Sequence, residues 1–276
     1  MILDGKKIKN EILEELNTKI NKLNLSLAII QIGDDPASNV YINQKKKMCE
    51  ELNVEFKHFK HDANEDPGKV IDLIDRLNKD DTTAILLQLP IPSNFDTFGL
   101  QNLIDYKKDV DGLTAYNLGN LVGKNNLLVP CTAKGVIELL KRYKIVIEKR
   151  KAVVIGRSSL VGIPVAQLLL NENATVSICH SKTENLKEYT LNADIIVAAV
   201  GMKHLVTADM VKEGATVVDV GINKEDNKLY GDVDFENVKE KAAFISPVPG
   251  GVGPMTIAML GQNIYEAHLL QKKLKR

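Results

Sequence analysis

The chain has 276 residues with 36 basic and 36 acidic side chains, so its formal charge is zero with histidine neutral. Hydrophobic residues make up 44% and charged residues 26%, which excludes a largely disordered chain; the length exceeds the roughly 100 to 150 residues of one typical domain, so two are expected. Balanced charge without an aromatic-interleaved basic stripe argues against a nucleic-acid partner, no apolar run approaches the roughly 20 residues that cross a bilayer, and three scattered cysteines behind a polar MILDGKKIKN start point to a reducing, cytoplasmic location.

Ile8, Ile12, Leu16, Ile20 and Leu23 recur at helical spacing and define a first amphipathic helix. SLAIIQIG then reads as a strand ending at Gly33, followed by a turn and the helix YINQKKKMCEEL, with Ser38 as its N-cap. NVEFKHF reads as a second strand. Asp66 and Pro67 look like an N-cap and N1 pair for a helix whose apolar face is Val70, Ile71, Ile74 and Leu77, and TTAILLQLP is a third strand. This alternation describes a small open α/β sheet. From Ile91 to Leu128, proline, glycine and asparagine break the pattern, as in a connector or a site wall. A helix from about Thr132, taken as its cap, to Tyr143 holds the domain junction. KAVVIG, IPVAQLLLNE, ATVSICH, NLKEY, DIIVAAVG and ATVVDVG follow as a second strand-helix alternation with four buried parallel strands. The last helix begins near Met255 with Thr256 as its cap, and its apolar face includes Ile257, Leu260, Ile264 and Leu269.

Gly156, after the strand KAVVI, and Gly162, at the opening of the next helix, give a strand-to-helix turn where a pyrophosphate can approach the backbone. The spacing differs from G-x-G-x-x-G, so on the glycines alone a turn that serves only packing is an equal reading. Arg157 and Ser158 add a guanidinium and a hydroxyl beside the first glycine. The next strand ends Cys179-His180-Ser181-Lys182, without the acid that would accept from a ribose 2′-hydroxyl. A 2′-phosphate fits better, with Arg157 and Ser181 the favoured donors, so NADP is the expected cofactor.

Tyr41 and Lys45 share a helical face, so one ring can stack on a flat substrate beside an amine. Burial or nearby cations would lower the lysine from its usual pKa near 10.4 toward a proton acceptor, with Lys46 and Lys47 as possible contributors. A solvated basic face is the plainer alternative. Gln88 is the sole polar residue within AILLQLP; placed near Lys45, it would orient the amine without neutralising it. Asp109 and Asp111 flank Val110, so in extended backbone they point the same way; one carboxylate could accept paired N–H groups of an amino-pyrimidine ring or cap the turn before Gly112. Cys131 reads as packed beside the site. SPVPGGVGPMT, with three prolines and three glycines, reads as a fixed loop. The five histidines suggest no metal site.

Tyr41-to-Lys45, LLQLP, KKDVDGL, PCT, VIGRSSLVGIP, CHSKT, VDVGIN and SPVPGGVGPMT together resemble the bifunctional methylenetetrahydrofolate dehydrogenase and methenyltetrahydrofolate cyclohydrolase family. The resemblance runs from the amino-terminal DGK through the final helix. It implies two three-layer α/β domains with a cleft between them. Residues 1–131, completed by the last helix at 255–276, would form the folate-binding catalytic domain, and residues 132–254 a Rossmann-like NADP-binding domain. By the same resemblance Lys45 is the catalytic lysine, Gln88 supports it, Asp111 holds the pterin ring and Tyr41 stacks on it. Gly156, Arg157, Ser158, Ser181 and Ile222 match cofactor-binding positions, and Pro249, Gly250 and Gly251 help shape the substrate site. The implied substrates are tetrahydrofolate derivatives, and the implied assembly is a homodimer paired through the cofactor domain. Two departures stand out: Tyr41-Ile42-Asn43 replaces Tyr-Val-Arg, and Ser246 stands where threonine is common. A dehydrogenase without cyclohydrolase activity and a nonenzymatic nucleotide-binding module are the competing expectations.

Overall fold

The computed structural model describes residues 1–125, 127–226 and 228–273; Leu274, Lys275 and Arg276, assigned above to the last helix, lie outside the described residues. The chain forms two compact units. The first comprises Glu11–Cys131 and the chain from Ile257 onward; the second comprises Met1–Asn10 and Thr132–Thr256. The first ten residues, read from sequence with the amino-terminal unit, group with the second. There the N–H of Leu3 donates to Ile245 O at 2.8 Å and the N–H of Gly5 to Gly250 O at 2.9 Å.

In chain order the elements begin with α1 (Gly5–Ile20), β1 (Ser26–Ile32), α2 (Pro36–Glu51), β2 (Glu55–His61), α3 (Pro67–Lys79), β3 (Ala84–Gln88), α4 (Thr97–Leu103) and α5 (Ala115–Val122). The three strands form a parallel sheet in the order β2-β1-β3. Every residue of β1 and β3 is buried, the pattern of strands covered on both faces, which explains their nearly unbroken apolar sequence. One side of this sheet packs Ala28, Ile30, Ile85 and Leu87 against Val70, Leu73, Ile74 and Leu77 of α3 and Leu100 and Ile104 at α4. Ile71, read as part of the α3 face, is exposed instead. Asp66 caps α3 as expected, accepting from Gly68 N at 2.9 Å. The cap of α2 is Asp35 rather than Ser38: its carboxylate accepts from the N–H of Ser38 at 2.7 Å, with Pro36 inside the first turn. Within 91–128 lie α4 and α5, capped by Asp96 and Thr114.

The chain continues through α6 (Cys131–Arg142), β4 (Lys151–Ile155), α7 (Gly162–Asn171), β5 (Thr175–Cys179), α8 (Leu186–Leu191), β6 (Ile195–Ala198), β7 (Thr216–Asp219), β8 (Asn223–Glu225), β9 (Lys228–Tyr230), α9 (Phe235–Val238), β10 (Phe244–Ile245) and α10 (Val252–Lys273). The second sheet has five parallel strands, ordered β10-β7-β6-β4-β5, one more than the four expected; the addition is the two-residue β10, too short to show periodicity. Counted from β4 this order is 2-1-3-4-5, a doubly wound sheet whose order reverses at β4, where such folds bind ligands beyond the carboxyl ends of the strands. α6 begins at Cys131 and α10 at Val252, so Thr132 lies in the first turn of α6 and Thr256 in the second turn of α10 rather than at caps; their hydroxyls are 3.2 Å apart. Among the described residues no helix is long and apolar enough to cross a membrane.

Candidate active site

The first unit places its chemistry on α2 and the end of β3. The buried side of α2 is Ser38, Ile42, Lys45, Met48 and Cys49, so a lysine occupies a position that helical periodicity assigns to an apolar residue. Lys45 is only 8% exposed, and its Nζ donates to Gln88 Oε1 at 2.8 Å. Gln88 is the last residue of β3, and its Nε2 donates to Leu89 O at 2.7 Å. That second bond orients the amide: with the NH₂ engaged, only the carbonyl oxygen is left to face the amine. Lys46 and Lys47 are exposed and stand apart from this pair.

Burial pulls the Lys45 amine below its ordinary range, while the nearby carboxyl of Asp111 and then the thiols of Cys131 and Cys49 act in the opposite direction. Burial pushes the Asp111 carboxyl up, opposed by the charge of Lys45 and reinforced by Asp109. The Cys49 thiol is pushed up to about 12, chiefly by burial, which makes it unreactive. Tyr41 lies one turn before Lys45, half-buried, with its hydroxyl also raised by burial. The site thus holds an amine short of solvent, fixed by a neutral acceptor and balanced by one carboxyl, a combination suited to moving a proton.

Asp109 takes the turn-capping role that sequence left open for either aspartate. Asp109 is buried and accepts from Gly112 N at 3.0 Å, Thr114 N at 2.8 Å and Asn117 Nδ2 at 2.9 Å, locking the turn and the start of α5. Asp111 faces the charge of Lys45. Cys131 is buried with its thiol donating to Val110 O at 3.2 Å, a packed neighbour of the site. Periodicity did not single out Asn263, although it ties this wall to the last helix by donating to Val110 O and Val129 O, each at 2.8 Å. A buried asparagine on an otherwise apolar helix is the signal that could have marked it.

In the second unit, Gly156 follows β4 with φ +124°, and a Cβ there would lie 2.3 Å from Ala199 O. A Cβ at Gly162 would lie 2.3 Å from Gly156 O, so neither position admits a side chain. The turn between them is a close-approach cradle before α7. Ser158 Oγ accepts from Val161 N at 3.2 Å and Gly162 N at 3.4 Å, and its own O–H stays available as a donor. Arg157, Ser158, Ser181 and Lys182 are exposed. The turn after β5 folds on itself: His180 Nδ1 accepts from Lys182 N at 3.1 Å, and the N–H of His180 donates to Thr183 Oγ1 at 2.8 Å. An anion-admitting turn with exposed cationic and hydroxyl donors, and no carboxylate from Cys179 to Lys182 at the end of β5, suits a phosphorylated dinucleotide. Ile222 is exposed after β7. Pro249, Gly250 and Gly251 follow β10; Gly250 has φ +113° and its carbonyl accepts from Gly5 N and Lys6 N at 2.9 and 3.2 Å. A Cβ on Gly251 would stand 2.7 Å from Pro247 O, which fixes this loop as a glycine-dependent turn.

Two protein-family models match the sequence: the tetrahydrofolate dehydrogenase/cyclohydrolase catalytic domain over residues 3–111, and the NAD(P)-binding domain of the same family over residues 130–272. The bifunctional protein FolD of Lactobacillus acidophilus is 49% identical over 265 residues, covering 94% of each chain. The crystal structure of the bifunctional methylenetetrahydrofolate dehydrogenase/cyclohydrolase of Campylobacter jejuni superposes with a TM-score of 0.94 at 45% identity, covering 97% of this chain and 98% of that one. The enzyme of Trypanosoma brucei, crystallised with NADP cofactor and inhibitor, gives a TM-score of 0.94 at 32% identity and covers 100% and 99%.

Proposed function

The chain belongs to the tetrahydrofolate dehydrogenase/cyclohydrolase family and has its two activities, NADP-dependent methylenetetrahydrofolate dehydrogenase and methenyltetrahydrofolate cyclohydrolase; on that premise we propose that Lys45, Gln88 and Asp111 carry the folate chemistry. The observation that supports this assignment most directly is the buried 2.8 Å bond from Lys45 Nζ to Gln88 Oε1. Bound NADP⁺ supplies the hydride acceptor that turns 5,10-methylenetetrahydrofolate into the 5,10-methenyl cation. Gly156, Arg157, Ser158, Ser181 and Ile222 hold the dinucleotide, with Arg157 and Ser181 on its 2′-phosphate.

In the second reaction water adds to the methenyl carbon and Lys45 takes the proton that the water loses; Lys45 then returns that proton to N5 as the bond from N5 to the one-carbon unit breaks, and the remaining hydroxyl proton passes to solvent as the formyl carbonyl of 10-formyltetrahydrofolate forms. A desolvated amine is fitted to this because its proton is held less tightly than that of a solvated lysine. Gln88 keeps the amine aimed while adding no charge that would lock the proton in place. Asp111 accepts from the amino-pyrimidine edge of the pterin, and Tyr41 stacks on its face.

The three free, buried cysteines support a cytoplasmic setting, where thiols stay reduced. A homodimer through the second unit is supported by the unpaired edge of β5 with exposed Ile178, beside exposed Leu160, Ile163 and Leu170 around α7. Purified protein should reduce NADP⁺ in the presence of methylenetetrahydrofolate, prefer it to NAD⁺, and separately bleach the methenyl absorbance. Lys45→Met should lose at least a hundredfold in the hydrolysis; a variant that keeps full rates in both assays would remove Lys45 from the mechanism.

A further inference from the structure

Two aspartates stand at the carboxyl edge of the second sheet, outside the residues assigned above. Asp232 is fully buried, and its carboxylate accepts from three successive backbone N–H groups, those of Val200 at 2.7 Å, Gly201 at 3.0 Å and Met202 at 2.8 Å. Asn223 Nδ2 adds a fourth donor at 3.1 Å. Three consecutive N–H groups curled around one point, with Gly201 at φ +68°, form a concavity of the kind that binds phosphate oxygens. Here the chain fills it with its own carboxylate. Asp219 holds Asp232 from behind: it accepts from the N–H groups of Gly221 at 3.0 Å, Asp232 at 2.9 Å and Val233 at 2.9 Å. Both carboxylates sit against glycine. A Cβ on Gly221 would fall 2.1 Å from the Asp232 carboxyl carbon, and one on Gly231 would fall 1.8 Å from Asp219 Oδ2.

The effect is to tie the loop after β6 to the loop after β7, the two loops that carry the exposed apolar side chains of Met202 and Ile222. We infer that Asp232 is a positioning residue for the dinucleotide: it closes the anion-binding concavity after β6 to phosphate and fixes Met202 and Ile222 as an apolar seat for the nicotinamide half of the cofactor. The inference rests on the cofactor assignment proposed above. It leaves the Gly156 turn as the phosphate site and separates the charged and uncharged ends of the ligand along one sheet edge.

Calorimetric titration tests it with two ligands, NADP⁺ and adenosine 2′,5′-bisphosphate, the latter lacking the nicotinamide half. Asp232→Asn, which puts an NH₂ among donors, should raise the Kd for NADP⁺ at least tenfold while the Kd for the bisphosphate stays within twofold. Asn223→Ala, which releases the Ile222 loop without leaving a buried donor unpaired, should raise the NADP⁺ value about threefold with the same selectivity, and it decides the matter if Asp232→Asn does not fold. Unchanged NADP⁺ affinity, or equal weakening of both ligands, overturns the inference. Failure of the unaltered protein to bind NADP⁺ would instead strike the cofactor assignment itself.

Discussion

Replacing Gln88 by glutamate isolates the electrostatic part of the Lys45 argument, because size and shape are nearly kept while a neutral acceptor becomes an anion. At the 2.8 Å separation of Lys45 Nζ and Gln88 Oε1, two unit charges attract by about 6 kcal/mol at an effective dielectric of about 20. The substitution carries its own penalty: Leu89 O, which receives the amide N–H at 2.7 Å, would face a carboxylate oxygen, and a buried group left without its partner costs about 1–3 kcal/mol. Taking a carboxylate out of water costs several kcal/mol more; both penalties weaken the fold whichever form the amine takes and do not move its midpoint, whereas coupling between close charge pairs starts at about 1.5 kcal/mol, so about 1.5–3 kcal/mol in favour of the ammonium form is the expectation. That raises the Lys45 midpoint by about one to two pH units. Cyclohydrolase rates, followed as loss of methenyl absorbance and corrected for the uncatalysed reaction, should therefore show an acid limb displaced upward by that amount. The rate at pH 7 should fall about 10- to 100-fold and recover as pH rises. A profile superimposable on that of the unaltered enzyme, or a loss equal at every pH, would refute the view that Lys45 works as a proton acceptor kept neutral in character by Gln88.

Lys45→Met bears on the same amine through stability. An amine with a depressed folded-state pKa is bound to fewer protons in the fold than in the unfolded chain between that pKa and about 10.5, so stability rises with pH across the window. The difference in unfolding free energy between the unaltered protein and Lys45→Met should accordingly move in favour of the unaltered protein as pH approaches 10.5; a difference independent of pH would contradict the burial of a charged amine. Asp109→Ala strips acceptors from Gly112 N, Thr114 N and Asn117 Nδ2, and urea unfolding should show a loss of about 3–5 kcal/mol with an unchanged m-value. A loss below 1 kcal/mol would mean that the turn does not depend on this carboxylate. Gly156→Ala forces a Cβ to within 2.3 Å of Ala199 O at φ +124°, and NADP⁺ titration should show at least a tenfold rise in Kd; wild-type affinity would show that the turn is not the phosphate cradle.

The sheets are legible in the sequence because parallel strands buried on both faces leave apolar runs such as SLAIIQI and KAVVI that little else produces. Short elements are harder. α4 and α5, of seven and eight residues, span about two turns each, too little for a 3.6-residue period to emerge, and their caps Asp96 and Thr114 lie among other turn residues. The cap of α2 at Asp35 is harder to read although Asp35-Pro36 repeats the signature of Asp66-Pro67, because Ser38, three residues after Asp35, is a rival of similar N-cap propensity. Within the site, helical spacing places Tyr41 and Lys45 together, but the meeting of Lys45 with Gln88 joins residues 43 positions apart, and only family resemblance indicated it. Local pattern likewise gave no basis for telling Asp109 from Asp111. The distinction depends on Thr114 and Asn117, whose partnership is set by the turn that the carboxylate itself builds.

The lysine-bearing unit is interrupted in the chain, since its residues up to Cys131 are joined by those from Ile257 onward. Asn263 and Gln271 supply the donors for Val110 O, Val129 O, Thr83 O and Lys107 O. During synthesis the intervening segment must be translated first, which at about 5–20 residues per second leaves these carbonyls waiting on the order of 10 s. The nascent polypeptide therefore passes through an interval in which the amino-terminal sheet exists without its closing helix. Translation of the segment from Ile257 onward, rather than emergence of the early strands, marks the moment at which the lysine-bearing unit becomes complete.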